Sequence, residues 1–376
     1  MGIEGRVDAG YDHPVMSVID DIIRIEAAPY RLPLHIHDLG LVLRSNDAGV
    51  LEAMRQVYGR YVEELQEAPR YEVWAFDMDP APYMPTDRSA FERYIVASGK
   101  AKDPFLDEGG VRHVVKATTG LCVIFDDRRY VVMGNMEEAA NQLNNIINAV
   151  HMQEMNERGW VIVHGAGLEL DGVGFALVGG AGTGKTTTML KIVAAGGTFV
   201  SNDRLIVRRE PDGGWFEMRG VVKWPRVCAG TMHGDPRLRA LLPDTAVARY
   251  GRMSFDELFG LEEKYDVDVA STYGPGRVKD TSRFQRMYYL MWSRQGEGLA
   301  IDRVDTSDET FWDTFGPNLS RDAGVFDRRQ RNSRWTSERR ARYRRDLDGI
   351  EVFAVTGKLD FDRAAGAILD HLRGPA

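Results

Sequence analysis

Cysteine, long apolar runs and an excess of positive charge are all lacking in this chain of 376 residues. Its two cysteines, Cys122 and Cys228, lie far apart and form no CxxC pair, which excludes a disulfide framework and a cysteine zinc cluster. No apolar run approaches the ~18 residues that a membrane-spanning helix needs. The formal charge of -8 disfavours nucleic acid as a partner, so any anion site must be built from local groups.

The composition itself is that of a folded globular protein. Hydrophobic residues make up 43% and charged residues 28%, values that exclude a disordered or collagen-like chain. The length predicts two domains, and the texture of the sequence changes near residue 156. We therefore expect an N-terminal α/β domain at residues 1–155, with a role in substrate choice or oligomerisation, and a second domain at residues 156–376. The first six residues lack the basic and apolar regions of a signal peptide, so the expected location is cytoplasmic.

The N-terminal part alternates helical and strand-like patterns. Apolar residues at three- and four-residue steps predict a helix over residues 47–65, and a strand-like run follows at residues 71–76. Two β-branched runs on either side of residues 126–129 predict a hairpin. Asn135, with Glu138 three residues later, is the pattern of a capping box at the start of a further helix.

The strongest motif begins the second domain. Asp171-Gly172 joins two strand-like runs in a predicted hairpin, whose second strand, at residues 173–178, runs into a match to G-x-x-x-x-G-K-[ST]. A helix-like segment at residues 187–195 follows. Backbone N–H groups of such a loop cradle phosphates, the lysine reaches the β and γ phosphates, and the threonine hydroxyl can hold Mg²⁺. The predicted nucleotide-binding residues are Gly179, Gly180, Ala181, Gly182, Thr183, Gly184, Lys185, Thr186 and Thr187.

A second group of polar residues follows the next predicted strand, at residues 198–201. Asn202 and Asp203 stand where this strand ends. Carboxylates that bind the magnesium of a nucleotide commonly project from the end of a strand beside the phosphate loop. Asp203, together with Thr186, is therefore the predicted metal ligand.

These motifs, in their order, resemble the HPr kinase/phosphorylase-related kinases, whose nucleotide fold is also similar to that of phosphoenolpyruvate carboxykinase. The resemblance covers about residues 160–300, and the segment at residues 262–266 looks more like a branch of related "kinase B" sequences than the sugar-regulation enzyme itself. The matching elements are His164-Gly165, the phosphate loop, Val200 to Arg204, the E-x-R-G element Glu217 to Gly220, and Pro275-Gly276-Arg277.

The resemblance implies an α/β (α+β) chain with a mixed-sheet phosphate-loop domain, and phosphoryl transfer from ATP, with Mg²⁺, to a hydroxyl of a protein serine or a small-molecule alcohol. The residues it assigns to catalysis are His164, Asn202, Asp203, Glu217, Arg219 and Arg277. Asn202 is a departure, because the family has an aspartate there that serves as general base. Asn202 can still orient the acceptor hydroxyl while His164, Glu217 or the phosphate takes the proton, since phosphoryl transfer has a loose transition state.

An alternative function stays open from the sequence. Asn202 favours a nucleotide-binding regulatory or scaffold protein that transfers no phosphoryl group. A homo-oligomer is compatible with either function. An arginine-rich tract at residues 328–345 predicts an exposed helix or lid, with an acidic or phosphorylated partner, or RNA, as the other interpretation.

Overall fold

The computed structural model describes residues 17–96, 99–137, 140–212, 214–293 and 295–374. Its contacts divide the chain into two compact units, one of Met1–Arg93 and Asp103–Leu143, the other of Tyr94–Lys102 and Asn144–Ala376. The boundary expected near residue 156 stays a prediction. The capping box fell on Glu138, which lies outside the described residues, as do the first six residues used for the expected location.

The first unit is built on a mixed sheet. The eight strands run in the order β1-β2-β3-β8-β7-β6-β5-β4, with β2, β3 and β8 parallel and the hairpins antiparallel. The elements, in chain order through the helix that follows the sheet, are α1 (Val18–Ile25), β1 (Tyr30–Ile36), β2 (Leu39–Ser45), α2 (Ala48–Tyr58), β3 (Tyr71–Asp77), β4 (Glu92–Ile95), β5 (Ala101–Glu108), β6 (Val111–Val115), β7 (Cys122–Phe125), β8 (Arg129–Gly134) and α3 (Ala140–Glu157). Short 3₁₀ turns cover Gly59–Tyr61 and Ala81–Tyr83.

The local predictions for this unit are largely confirmed. The hairpin forms with Phe125 paired to Tyr130, and the Asp126 carboxylate accepts hydrogen bonds from the backbone N–H groups of Arg128 and Arg129 in its turn. The predicted helix ends early, at Tyr58, where the chain tightens into a 3₁₀ turn. Apolar periodicity beyond that point therefore overstated the length of the helix.

The second unit contains most of α3, from Asn144 onward, and the remaining strands and helices. They are β9 (Val161–Val163), β10 (Gly165–Leu170), β11 (Val173–Val178), α4 (Lys185–Ala194), β12 (Thr198–Ser201), β13 (Leu205–Arg209), β14 (Phe216–Gly220), β15 (Arg226–Cys228), α5 (Ala229–Gly234), α6 (Pro236–Arg239), α7 (Asp244–Tyr250), α8 (Phe255–Gly260), β16 (Lys264–Asp266), α9 (Val269–Tyr273), β17 (Thr281–Leu290), β18 (Leu299–Arg303), α10 (Glu309–Leu319), α11 (Ser337–Asp346), β19 (Glu351–Gly357) and α12 (Phe361–Arg373). Further 3₁₀ turns cover Pro275–Arg277 and Gly324–Phe326.

Nine of these strands form one mixed sheet. Its main path is β12-β10-β11-β17-β14-β13-β9, and β19 joins β17 on one side and β18 on the other. The β10–β11 hairpin turns at Asp171 and Gly172, both at positive φ, as an Asp-Gly turn requires. β11 runs parallel to β17, which runs parallel to β19. The chain is thus mixed α/β, as expected.

Alternate side chains of β11 face two separate apolar cores. Phe175 and Leu177 pack with residues of α4 and α12, whereas Ala176 and Val178 pack with residues of α10 and α11. This alternation is the period of two that a β-strand imposes on its side chains. The sheet therefore has a layer of helices on each face, and its loops emerge at the strand ends.

The arginine-rich tract contains the helix α11, whose side chains are largely ion-paired within the second unit. Arg339 binds Asp322, Arg340 binds Asp313, and Arg344 binds Glu309. Much of the tract's positive charge is therefore used inside the fold. Within the described ranges, none of the helices combines the length and the apolar character needed to cross a bilayer.

Candidate nucleotide-binding site

The phosphate-binding motif forms a glycine turn between β11 and α4. Gly179, Gly182 and Gly184 all adopt positive φ, which other residues reach at a cost. A Cβ at Gly184 would also meet the ring of Phe361 at 2.1 Å. The indole N–H of Trp292 donates a hydrogen bond of 3.0 Å to the carbonyl of Thr183 and fixes the outer side of the turn. The loop is thus shaped by Trp292, which follows β17, and by Phe361 of α12, as well as by its own glycines.

Lys185 is held against its own loop. Its ammonium donates hydrogen bonds to the carbonyls of Gly179 and Gly180, at 2.9 and 2.7 Å. Burial, together with the nearby guanidinium of Arg321, lowers the pKa of Lys185 to about 8. An anion beside this lysine would relieve the cost of burying its charge.

The candidate metal ligand Thr186 contacts Asn202, the residue that precedes the other candidate, Asp203. The hydroxyl of Thr186 donates a 3.1 Å hydrogen bond to the side-chain oxygen of Asn202. Asp203, the next residue, has a φ of 72°, a strained backbone for a residue with a Cβ. The turn that contains it is held by Ser201, whose hydroxyl donates to the carbonyl of Arg204 and accepts from the backbone N–H of Val221.

This oxygen set fits Mg²⁺. Among the residues that the structure describes, no three His, Cys, Asp or Glu side chains are grouped so that they could hold a metal alone. Magnesium at nucleotide sites commonly takes one or two protein oxygens and completes its octahedron with phosphates and water. Thr186, Asp203 and the amide oxygen of Asn202 could supply those oxygens.

His164 lies at the same end of the second sheet as Asp203. Its Nε2 lies 3.6 Å from a carboxylate oxygen of Asp203, and its Nδ1 lies 2.8 Å from Nη2 of Arg321 and 2.9 Å from the carbonyl of Asn318. Burial and the positive charges of Arg321 and Lys185 lower the pKa of His164 to about 3. The imidazole is therefore neutral at pH 7.

Positive charge dominates the cluster of side chains at this end of the sheet, which comprises His164, Lys185, Asp203, Arg204, Lys223 and Arg321. Burial raises the pKa of Asp203, but Arg204, His164 and Lys223 outweigh it and hold that pKa below its usual range. Arg204 is ion-paired with Asp203, and Lys223 donates a 3.0 Å hydrogen bond to Asn145. Burial likewise lowers the pKa of Lys223. A single carboxylate thus faces several buried or half-buried cations, an arrangement suited to a polyanion.

The remaining predicted site residues have other contacts. Arg219 is ion-paired with Glu217 at 2.9 Å and lies over the ring of Trp160. The placement of Arg219 and Glu217 at the transferring phosphoryl group stays a prediction. Arg277 donates a hydrogen bond to the carbonyl of Gly196, just past the C-terminal end of α4. Because α4 is ten residues, about 15 Å, long, the structure does not bring Arg277 to the phosphate loop at the helix's other end. The guanidinium of Arg277 is well placed beside Gly196, since carbonyl oxygens are left unpaired at helix C-termini.

Two side chains in the cluster were missed by sequence reasoning. Lys223 follows the E-x-R-G element closely, and its position was the one available signal. Arg321 lies beyond the region of family resemblance and belongs to no motif. Among the predicted loop residues, Thr187 turns aside, because its hydroxyl shares a 2.8 Å hydrogen bond with that of Thr231.

Known proteins resemble this chain over part of its length. It is 26% identical over 176 residues to the HPr kinase/phosphorylase of Lactococcus lactis subsp. cremoris (strain SK11), covering 46% of this chain and 44% of the relative. The identity to the enzyme of L. lactis subsp. lactis (strain IL1403) is also 26%, over 46% of this chain and 45% of the relative. The chain thus spans less than half the length of these relatives. No family model matches the sequence.

A solved structure of the HPr(Ser) kinase/phosphatase from Coxiella burnetii aligns with 56% of this chain and 95% of its own, at 10% identity and a TM-score of 0.28. A TM-score this low adds nothing to the sequence comparison. The sequence relatives support an HPr kinase-related family for this chain.

Proposed function

We propose that this HPr kinase-related chain is an ATP-dependent kinase that uses Mg²⁺ and transfers the γ-phosphoryl group to a hydroxyl. One observation carries the proposal. Five residues lie together at one end of the strands of the second sheet: Lys185, Thr186, Asn202, Asp203 and His164. The sequence relatives carry the name HPr kinase/phosphorylase, which favours the same class of reaction.

Each residue has a role in the proposed reaction. The backbone of Gly180 to Gly184 and the ammonium of Lys185 would bind the phosphates, while Thr186 and Asp203 would hold the magnesium. When bound, magnesium neutralises charge on the phosphates. The cluster carries more positive than negative charge, so the residues stabilise the transferring group electrostatically.

The proton of the acceptor goes to the phosphate in this proposal. As the acceptor oxygen bonds to the γ-phosphorus, the bond from that phosphorus to the ADP oxygen breaks, and the hydroxyl proton passes to a phosphoryl oxygen. His164 is a weak base, because its pKa is about 3. Asn202 cannot accept a proton but can orient the hydroxyl, which is sufficient for a loose transition state.

The acceptor is either a protein serine or a small-molecule alcohol. The matched region is under half of each relative, so acceptor recognition can rest on segments without a counterpart in the comparison. The proposed location is the cytoplasm, where ATP and Mg²⁺ are available.

The test is transfer of label from γ-labelled ATP, with Mg²⁺, into a source lysate separated into proteins and small metabolites. Wild type is compared with Lys185→Ala and with Lys191→Ala. Lys191 lies on the same helix but pairs with Asp362 on the surface, so its loss controls for the removal of a lysine from α4. We expect wild type and Lys191→Ala to label an acceptor and Lys185→Ala to label nothing above background.

A second candidate is a nucleotide-responsive regulator that transfers nothing. Asn202, in place of an acidic residue, favours it. Binding of ATP without labelling of any acceptor would support this candidate against the kinase, as would activity that appears only in Asn202→Asp.

A further inference from the structure

Arg321 is anchored to the edge of the second sheet. Residues 319–321 run beside β9, where His164 donates its backbone N–H to Leu319 at 2.8 Å and Arg321 donates its own to Ile162 at 3.2 Å. Tyr343 of α11 adds a clamp, because its hydroxyl donates to the carbonyl of Ile162 at 2.6 Å and accepts from the backbone N–H of Arg321 at 3.1 Å. The backbone of Arg321 is thereby held in place independently of its side chain.

The guanidinium of Arg321 has no carboxylate within ion-pair distance among the described residues. Its contacts are the carbonyl of Ser320, at 2.7 Å, and Nδ1 of His164, at 2.8 Å. Burial and the charge of Arg204 lower the pKa of Arg321, and Arg321 in turn lowers the pKa of Lys185. Two half-buried cations without a carboxylate partner of their own, Lys185 and Arg321, therefore lie near each other.

Even partial burial of a cation is costly unless an anion neutralises it. The other arginines of the region already have such partners or lie elsewhere: Arg204 is paired with Asp203, and Arg277 caps the far end of α4. Arg321 alone among these three combines a position beside His164 with a guanidinium that lacks a carboxylate. A planar guanidinium can bind two phosphoryl oxygens at once.

We propose that Arg321 is a catalytic residue that binds the γ-phosphoryl group of ATP and stabilises its charge during transfer. Before ATP binds, the guanidinium of Arg321 contacts His164. When ATP binds, the γ-phosphoryl group replaces His164 as the partner of the guanidinium. This inference rests on the proposed function for its catalytic part. Its binding part stands alone, because a γ-phosphate contact distinguishes ATP from ADP whether or not transfer follows.

The experiment compares wild type with Arg321→Met, Arg321→Lys and the control Arg344→Met. Arg344 belongs to the arginine-rich tract but pairs on the surface with Glu309. Dissociation constants for a non-hydrolysable ATP analogue and for ADP, both with Mg²⁺, are measured beside the single-turnover transfer rate. Thermal unfolding midpoints show which variants are folded.

For Arg321→Met we expect an ATP-analogue affinity about tenfold weaker with ADP affinity unchanged, since a charge-assisted hydrogen bond is lost. Where wild type transfers phosphate, the rate should fall by about 10³-fold, the lower end of the effect of arginines that stabilise this transition state. Arg321→Lys should keep part of the wild-type ATP-analogue affinity and part of the transfer rate. Arg344→Met should match wild type in both.

Equal loss of ATP-analogue and ADP binding, or a variant as active as wild type, would overturn the inference. Should Arg321→Met fail to fold, the ATP-to-ADP affinity ratio of Arg321→Lys decides, with an unchanged ratio and rate counting against it. Wild type that transfers nothing would refute the kinase proposal and, with it, the catalytic part. The affinity ratio would then decide the γ-phosphate contact on its own.

Discussion

The hydroxyl of Thr186 donates a hydrogen bond to the side-chain oxygen of Asn202 across 3.1 Å. Thr186 belongs to the phosphate loop and is a proposed magnesium ligand, and Asn202 stands where the kinases that the sequence resembles have an acidic residue. In the proposed site the amide oxygen of Asn202 is therefore a candidate ligand or orienting group. An asparagine at this position is compatible with a working site if its task is to hold oxygens in place.

Replacement of Asn202 should change the magnesium requirement. In Asn202→Ala the Thr186 hydroxyl loses its partner, and we expect the Mg²⁺ concentration for half-maximal nucleotide binding to rise about tenfold, a typical cost of removing an orienting group. Asn202→Asp keeps an oxygen there and should keep the wild-type requirement. Titration of nucleotide binding with Mg²⁺ measures both, and equal curves for wild type and Asn202→Ala would contradict the role.

Alanine at Gly184 should destabilise the protein more than alanine at Gly182. Both glycines have φ near 76–79°, so both variants incur about 1–2 kcal/mol of backbone strain. Only at Gly184 does the new Cβ meet the Phe361 ring, which adds about 1–3 kcal/mol of overpacking. Denaturant unfolding of the two variants measures the difference. Gly184→Ala combined with Phe361→Leu should recover most of the excess.

Tyr343→Phe should loosen the segment that carries Arg321. The variant loses the hydroxyl that links Ile162 to Arg321, and we expect about 1–3 kcal/mol lower stability with slower phosphoryl transfer. Tyr288→Phe is the matched control, because its hydroxyl hydrogen-bonds to His371 instead. It should lose stability and keep the transfer rate. Equal transfer rates in the two variants would show that the clamp does not act on the site.

The first unit should lose stability in mild acid through His113. This side chain is 5% exposed, its Nδ1 has no hydrogen-bond partner within the described ranges, and burial lowers its pKa although Glu108 and Asp107 oppose the shift. The unfolded chain therefore binds a proton at a higher pH than the folded chain does. Stability is full above the unfolded pKa of about 6.5 and falls as the pH drops below it.

Hydrogen exchange of residues 111–125, followed between pH 7.5 and 5, measures this effect. His113→Phe should show a flatter pH dependence of protection, because the titrating group is gone. The same slope in wild type and His113→Phe would assign the acid sensitivity to other groups.

The local features of this protein follow from its sequence. The Asp171-Gly172 turn, the glycine loop before Lys185 and the strand that ends at Ser201 follow from backbone preferences within a few residues, and the structure has each of them. The helix predicted over residues 47–65 was too long, because its end is a 3₁₀ turn that apolar spacing does not register.

Which distant residues share the site depends on the packing of the whole second unit. Arg321 reaches His164 because residues 319–321 lie along β9, and Arg277 is taken to the far end of α4 by the carbonyl of Gly196. In the arginine-rich tract, ion pairs with acidic residues distant in sequence consume much of the charge that suggested a partner. Such contacts depend on how the sheet brings separate segments together, and no pattern within one segment specifies them.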